Sequence, residues 1–297
     1  MPKWTNRHNI DPAITQAVMS DDYELVGDIS VTGLIRPPQI AALESQYGEQ
    51  VEQDVSDGLW RLLGQSMHQV LQAGHVSGAI QEHTLTTEVK GWKVSGTCDI
   101  YYEDSNILKD FKVTSVWSYI FGGRAEWQAQ VNLYAYLAEQ NGIQVDELKI
   151  VMLLRDWNKS GLNVVSTRRD DIPLSTSGNT DYPPIPFVEV GISKWPSDFT
   201  KKYLEERVTL HQAAREGNYP PCTDEERWAK PETWAVVKSG AKRAWRVFKS
   251  MEDAVVLAGK AKGYTVEHRP GKNVRCESYC PVARFCEQAK ELGVVVA

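Results

Sequence analysis

Apolar residues recur at three- and four-residue spacing in two stretches of this chain, and in most others they alternate or run on continuously. In 58–73, GLWRLLGQSMHQVLQA, Leu59, Leu62, Leu63, Met67, Val70 and Leu71 make one helical stripe. Asp57 or Ser56 can cap its start and Gly74 ends it. His68 lies beside the stripe, and Gly64, one turn earlier, would let a backbone or ligand come close. In 124–141, RAEWQAQVNLYAYLAEQN, Ala125, Val131, Ala135 and Leu137 form an apolar side. Gln130 and Tyr134 are one turn apart there, so they share a face.

Between these helices the period falls to two. Residues 84–102 alternate as two strands with Gly91 near their turn. Next comes 96–112, GTCDIYYEDSNILKDFK, two short strands flanking the polar turn Glu103-Asp104-Ser105-Asn106. Alternation makes Asp110 and Lys112 point the same way, and hairpin pairing can bring Asp99 across to that face. Glu82 and Glu88 are further carboxylates whose facing the pattern does not fix.

Residues 145–157 carry the continuous apolar run Ile150–Leu154 of a strand covered on both sides. A turn at 117–123, a loop at 158–185, a strand at 186–192 and a charged helix at 197–216 are predicted as well. The first 57 residues are polar and acidic, with a short apolar element at Ser30–Ile35 and a short helix at 39–47. After Pro220-Pro221 the pattern predicts strands at 244–248 and 264–268, a helix at 251–261, and a final helix at 287–292. The expected organisation is an extension (1–57), an α/β core with a mixed central sheet flanked by helices (58–217), and a small C-terminal cysteine-bound module (218–297).

At 297 residues and 42% hydrophobic content the chain can bury a full core. It has no apolar run near the roughly 18 residues that span a bilayer, so no membrane association is expected. The start, MPKWTNRHNID, lacks an apolar signal region, which predicts a cytoplasmic protein. The net charge of −6 does not suggest a nucleic-acid binder, but its distribution is uneven. Residues 238–275 hold ten Lys and Arg against Glu252, Asp253 and Glu267, a balance of +7, whereas 1–60 hold three against ten, a balance of −7. That asymmetry allows a basic surface on an acidic protein.

The Asp99–Asp110–Lys112 patch is the strongest chemical signal. Two adjacent carboxylates repel, and one would take up a proton unless a cation compensates. Mg²⁺ favours one or two carboxylates, completing its shell with water and phosphate oxygens. A lysine alongside can orient a water or steady developing negative charge.

The order of these residues carries a resemblance. A helix with Gly64 and His68 precedes Gly96-x-x-Asp99, then Asp110-x-Lys112, then Gln130-x-x-x-Tyr134 on a helix. Over roughly residues 58 to 155 this resembles the PD-(D/E)XK nuclease superfamily, specifically its RecB-like branch, with its restriction-endonuclease-like core. The resemblance implies that His68, Asp99, Asp110 and the Phe111 carbonyl ligate Mg²⁺ or Mn²⁺. It implies that Lys112 is catalytic, with Gln130 and Tyr134 positioning DNA or the active-site water. The expected activity is phosphodiester hydrolysis, as an exonuclease in phage DNA recombination, repair or degradation, with DNA as partner and a recombination protein as a possible second one. A non-catalytic DNA-binding or assembly protein on the same fold is the alternative, and a redox or structural iron–sulfur protein is a second one.

Cys276-x3-Cys280-x5-Cys286 lies near the C-terminus, with Cys222 far upstream. Without a secretory signal a disulfide framework is not expected. Some RecB-like nucleases pin the domain with a 4Fe–4S cluster held by one distant cysteine and three late ones. Here the first spacer is three residues rather than two, and the distant cysteine follows the core rather than preceding it. The resemblance implies a 4Fe–4S cluster on Cys222, Cys276, Cys280 and Cys286, with structural Zn²⁺ as the alternative. Cys98 reads as a small core residue.

Overall fold

The computed structural model describes residues 2–20, 24–123, 125–161 and 182–294. The strands are β1 (Lys3–Thr5), β2 (Ile29–Ser30), β3 (Glu52–Asp54), β4 (Ala79–Val89), β5 (Trp92–Tyr102), β6 (Ile107–Thr114), β7 (Glu147–Leu154) and β8 (Phe187–Ile192), then β9 (Ala229–Lys230), β10 (Thr233–Lys238), β11 (Ala244–Phe248), β12 (Tyr264–Arg269) and β13 (Lys272–Asn273). The helices are α1 (Pro12–Met19), α2 (Val31–Ile35), α3 (Pro38–Tyr47), α4 (Leu59–Ala73), α5 (Val116–Ile120) and α6 (Ala125–Gln140), then α7 (Ser197–Arg215), α8 (Met251–Ala258), α9 (Val274–Ser278) and α10 (Glu287–Glu291). They fall into two compact units, one of residues 3–36 and 52–216 and one of 37–51 and 217–297. Residues 37–51 group with the second unit and residues 3–36 and 52–57 with the first.

The larger unit is an α/β fold around a mixed sheet, as expected. Its order is β2-β5-β6-β7-β8, with β4 also paired to β5. The β4–β5 hairpin turns on Lys90-Gly91, both at positive φ (50° and 77°), the backbone of a tight two-residue turn. β5 and β6 are antiparallel, β6 and β7 parallel, and β7 and β8 antiparallel. Because β4 occupies one edge of β5 along its length, β2 and β6 share the other. β2 takes Val94–Ser95 and β6 takes Ile100–Tyr102. Between them, at 96–99, no described strand pairs with that edge, so the sheet opens there.

α6 packs against β4, β5, β6 and β7, and is itself covered by α2 and α7. Its sequence showed one apolar side, yet Ala129 and Val131 through Ala138 are all buried because neighbours cover it on more than one face. Burying a leucine such as Leu133 or Leu137, each 0% exposed, contributes about 1.5–3 kcal/mol. Asn132 is tolerated inside because its side chain donates to Gln128 O (2.9 Å) and accepts from Trp195 N (2.6 Å). Gly96 permits this packing. A Cβ there would lie 2.8 Å from Tyr134 Cδ1 and 3.0 Å from Val31 Cγ2.

Two expectations change. The predicted turn at 117–123 is mostly helix, α5. Ser115 caps it by accepting from Trp117 N (3.2 Å), and Asp156 accepts from Ser115 Oγ (2.6 Å) and Val116 N (2.7 Å). α4 forms as predicted, but none of its residues is fully buried, and Trp60 and Val70 are 64% and 69% exposed. The predicted loop at 158–185 falls largely outside the described residues.

In the smaller unit, β10 lies between β11 and β12 in an antiparallel three-stranded sheet, and α8 packs on it. β10 was not evident in the sequence. Nearby, Ile40, Leu43, Val51, Cys222 and Val282 form a second apolar cluster, with Cys280 and Cys286 against it.

Candidate active site

The gap in the larger sheet is where the polar residues gather. Register places Glu82, Asp99 and Asp110 abreast on β4, β5 and β6. The ladder ends at Ile100↔Lys109, and beyond it the Asp99 carboxylate, not a backbone carbonyl, accepts from Phe111 N (2.6 Å). Glu82 adopts φ 50° inside a strand, a strained backbone often kept where side chains are being aimed. From α4, His68 Nδ1 comes within 3.4 Å of Asp99 Oδ1 and 3.8 Å of Glu82 Oε1. A Cβ at Gly64 would meet nothing within 4 Å, so this turn faces open space, not a packed neighbour.

Asp110 and Lys112 share a face of β6, as alternation requires. Asp110 is 1% exposed, and its Oδ2 lies 2.6 Å from Lys112 Nζ. That approach is ionic and lacks the angle of a hydrogen bond, and Oδ2 accepts no hydrogen bond from any described residue. Lys112 Nζ instead donates to Gln130 Oε1 (2.9 Å), and Gln130 Nε2 donates to Tyr134 Oη (2.8 Å). Each link fixes the next, from the buried tyrosine on α6 to the ammonium beside the carboxylates.

The electrostatics are those of a site short of positive charge. Burial first, and the Asp110 charge second, push the Asp99 carboxyl up to about 7. The Glu82 carboxylate, with help from Asp99 and Asp110, draws the His68 pKa upward against its burial. Burial and the Asp110 charge raise Tyr134, so its hydroxyl keeps its proton.

Among the described residues, one group of three or more metal-binding side chains has its ligand atoms within 4.8 Å of one another: His68, Glu82 and Asp99. The set expected from the sequence was His68, Asp99, Asp110 and Phe111. The structure adds Glu82 and sets Asp110 against Lys112, while Phe111 provides its N–H to Asp99. The signal for Glu82 was the antiparallel register, which puts it opposite Asp99 once the β4–β5 turn is fixed at Lys90-Gly91. An imidazole and three carboxylates suit a hard divalent cation such as Mg²⁺ or Mn²⁺.

The four expected cysteines are free thiols in the smaller unit. Cys222 is buried, and its backbone is clasped by Gln288, which accepts from Cys222 N (2.8 Å) and donates to Cys222 O (2.9 Å). Its thiol donates to Gln39 Oε1 at 3.5 Å. Burial pushes Cys222 up to about 12 and Cys280 up to about 11, and it raises Cys276 too. The other three cysteines contribute to the shift of Cys222, so the four are neighbours despite their separation in sequence. Such thiols would stay protonated unless a cation drew them to thiolates, which suits a soft-metal centre. Cys98 is buried and donates to His83 O (3.5 Å), as a core thiol.

No family model matches the chain, and no curated protein matches it. Among solved structures it is similar to one described as SSO0001, at 18% identity over 67% of this chain and 83% of that one, with a TM-score of 0.43. It is also similar to a phage-related exonuclease from Haemophilus somnus 129PT, at 15% identity over 66% of this chain and 95% of that one, with a TM-score of 0.37. The functional reading rests on the side-chain geometry. Among the described residues no helix is long and apolar enough to cross a membrane.

Proposed function

We propose that this chain is a divalent-metal-dependent DNA nuclease of the PD-(D/E)XK, RecB-like kind, acting as an exonuclease in phage DNA recombination, repair or degradation. One observation carries the reading: the buried Asp110 carboxylate, with Asp99 and Glu82 abreast of it, is faced by one ammonium, Lys112 at 2.6 Å, which Gln130 also holds. Three carboxylates gathered around one lysine and one imidazole leave negative charge that a bound cation would balance.

His68, Glu82, Asp99 and Asp110 would hold Mg²⁺ or Mn²⁺. When bound, the ion acidifies a water and stabilises negative charge at phosphorus. Asp99 accepts from the Phe111 N–H with one oxygen and faces His68 with the other, so it is aimed before any ligand arrives. Lys112 keeps donor capacity beyond its bond to Gln130, which it can present to an attacking water or a phosphate oxygen. Gln130 sets the reach of that ammonium, and Tyr134 sets the rotamer of Gln130. Tyr134 acts as a neutral hydrogen-bonding group, because burial keeps its proton on.

The test is incubation of end-labelled single- and double-stranded DNA with the protein in Mg²⁺, Mn²⁺ or EDTA. Metal-dependent release of short products from an end supports the reading. Equal cleavage in EDTA overturns the mechanism, and binding without cleavage in either metal turns the assignment to a non-catalytic DNA-binding protein.

For the cysteines the proposal is a 4Fe–4S cluster held by Cys222, Cys276, Cys280 and Cys286, supported by the influence of the other three on the buried Cys222 thiol and by the packing of Cys280 and Cys286 against its apolar cluster. Anaerobically purified protein should be brown and contain iron, and replacing any one of the four should bleach it. A colourless protein with one zinc per chain would decide for zinc instead.

A further inference from the structure

The basic stretch of the smaller unit is not accounted for by the site above. Its densest part is KRAWRVFK, residues 242–249, with four cations, two aromatics and no acid. The structure makes its centre β11, an edge strand in the order β11-β10-β12. The pairing slips between Val236↔Arg246 and Val237↔Ala244, leaving Trp245 as the extra residue of a bulge. Bulges re-aim side chains, and Trp245 is 53% exposed, beside Tyr264 at a ring separation of 4.9 Å. Arg246 lies over the Phe248 ring at 5.1 Å. Lys242, Arg243, Arg246 and Lys249 are all exposed, and none pairs with a carboxylate among the described residues. Three of the nearby acids are engaged elsewhere: Glu252 accepts from Ser250, Glu267 from Arg269 and Glu232 is bonded to His268.

We propose that β11 and its flanks are a binding surface for single-stranded nucleic acid, with Trp245 stacking on an unpaired base and Lys242, Arg243, Arg246 and Lys249 following the phosphates. The bulge and the cations protect this edge from pairing with another strand, but they do not account for an indole left 53% exposed among them. Interleaved cations and aromatics are instead what sequence-tolerant single-strand binding uses. A duplex hides its base faces, so the indole favours unpaired bases over paired ones. The surface stands independently of the hydrolytic site and would bind whether or not the chain cleaves.

The test is fluorescence anisotropy of the full chain with a 5′-labelled oligo-dT of 20 nucleotides, in EDTA so that no cleavage occurs. Trp245→Ala should weaken binding about five- to a hundredfold, as expected for one stacked base, and Trp245→Phe should recover most of it. The double change Arg243→Glu, Arg246→Glu should weaken binding and lower the slope of log affinity against log salt by about 1 to 1.5. Unchanged melting temperatures keep these results from reflecting unfolding. Affinity unaffected in all three variants overturns the proposal, as does equal affinity for duplex and single strand. Loss of self-association, with oligonucleotide binding intact, would assign the edge to a second copy of the chain and also overturn it. Because the assay excludes cleavage, its failure leaves the nuclease reading standing, and the reverse.

Discussion

Replacing Asp99 with asparagine should make the metal-free protein more stable, not less. In the parent, burial first and the Asp110 charge second push the Asp99 carboxyl up to about 7 from 3.8. At 1.36 kcal/mol per pH unit, the folded state disfavours the charged Asp99 by ~4 kcal/mol. An amide carries no charge to disfavour, and its oxygen can still accept from Phe111 N. Losing the contact with His68, which is 36% exposed, offsets ~0.5–1 kcal/mol of that, and burying the amide offsets more. The net gain is ~1–2 kcal/mol, or ~2–8 °C in melting temperature for a unit of this size. The sign depends on pH. The folded-state pKa of Asp99 lies above its unfolded value, so its penalty is absent below pH 3.8 and complete above about 7. The advantage of Asp99→Asn should therefore be largest at pH 8 and fade toward pH 4. Differential scanning calorimetry in EDTA measures it, and adding Mn²⁺ should raise the parent's melting temperature while leaving the variant's nearly unmoved. A variant less stable than the parent at pH 8 in EDTA, or equal Mn²⁺ responses, would refute the reasoning.

Other outcomes follow from single contacts. Gly96→Ala should cost ~1–3 kcal/mol in urea unfolding, because the new methyl meets the Tyr134 ring at 2.8 Å, and should reduce cleavage by displacing the Tyr134–Gln130–Lys112 chain. Gln130→Ala should lower the cleavage rate ~10–100-fold with Mn²⁺ affinity unchanged, since it frees the ammonium without touching the carboxylates. His211 is buried against Leu34 O (3.0 Å), and burial lowers its pKa to about 4. That depressed value means stability is present above pH 6.5 and lost as pH falls through 4, by about 3 kcal/mol at full protonation. Urea unfolding at pH 7 and pH 4.5 measures it, and His211→Gln should flatten the difference.

The parts of the site that alternate along one strand could be read from the sequence. Asp110 and Lys112 had to share a face, and a hairpin on either side of Glu103–Asn106 could bring Asp99 near them. The long helices were legible because their apolar stripes kept helical spacing. Glu82 was not, because its facing depends on where the preceding hairpin turns and on a positive φ that glutamate rarely adopts. β10 was hidden because TWAVVK is too short and too uniformly apolar to announce a strand without its two partners. The placing of residues 37–51 with the C-terminal unit comes from long-range packing of Ile40, Leu43 and Val51 around Cys222, which no local pattern encodes. The α5 helix was missed because its cap depends on Asp156, 40 residues onward.

The central claim is that Asp110 and Lys112 on β6 serve phosphodiester cleavage through a divalent ion. The most direct measurement is the initial rate of cleavage of end-labelled DNA by parent, Asp110→Ala and Lys112→Ala, side by side, with Mn²⁺ binding recorded for each. The account predicts that Asp110→Ala loses cleavage and weakens Mn²⁺ binding, and that Lys112→Ala loses most cleavage while still binding Mn²⁺. Full cleavage by folded Asp110→Ala protein would contradict it.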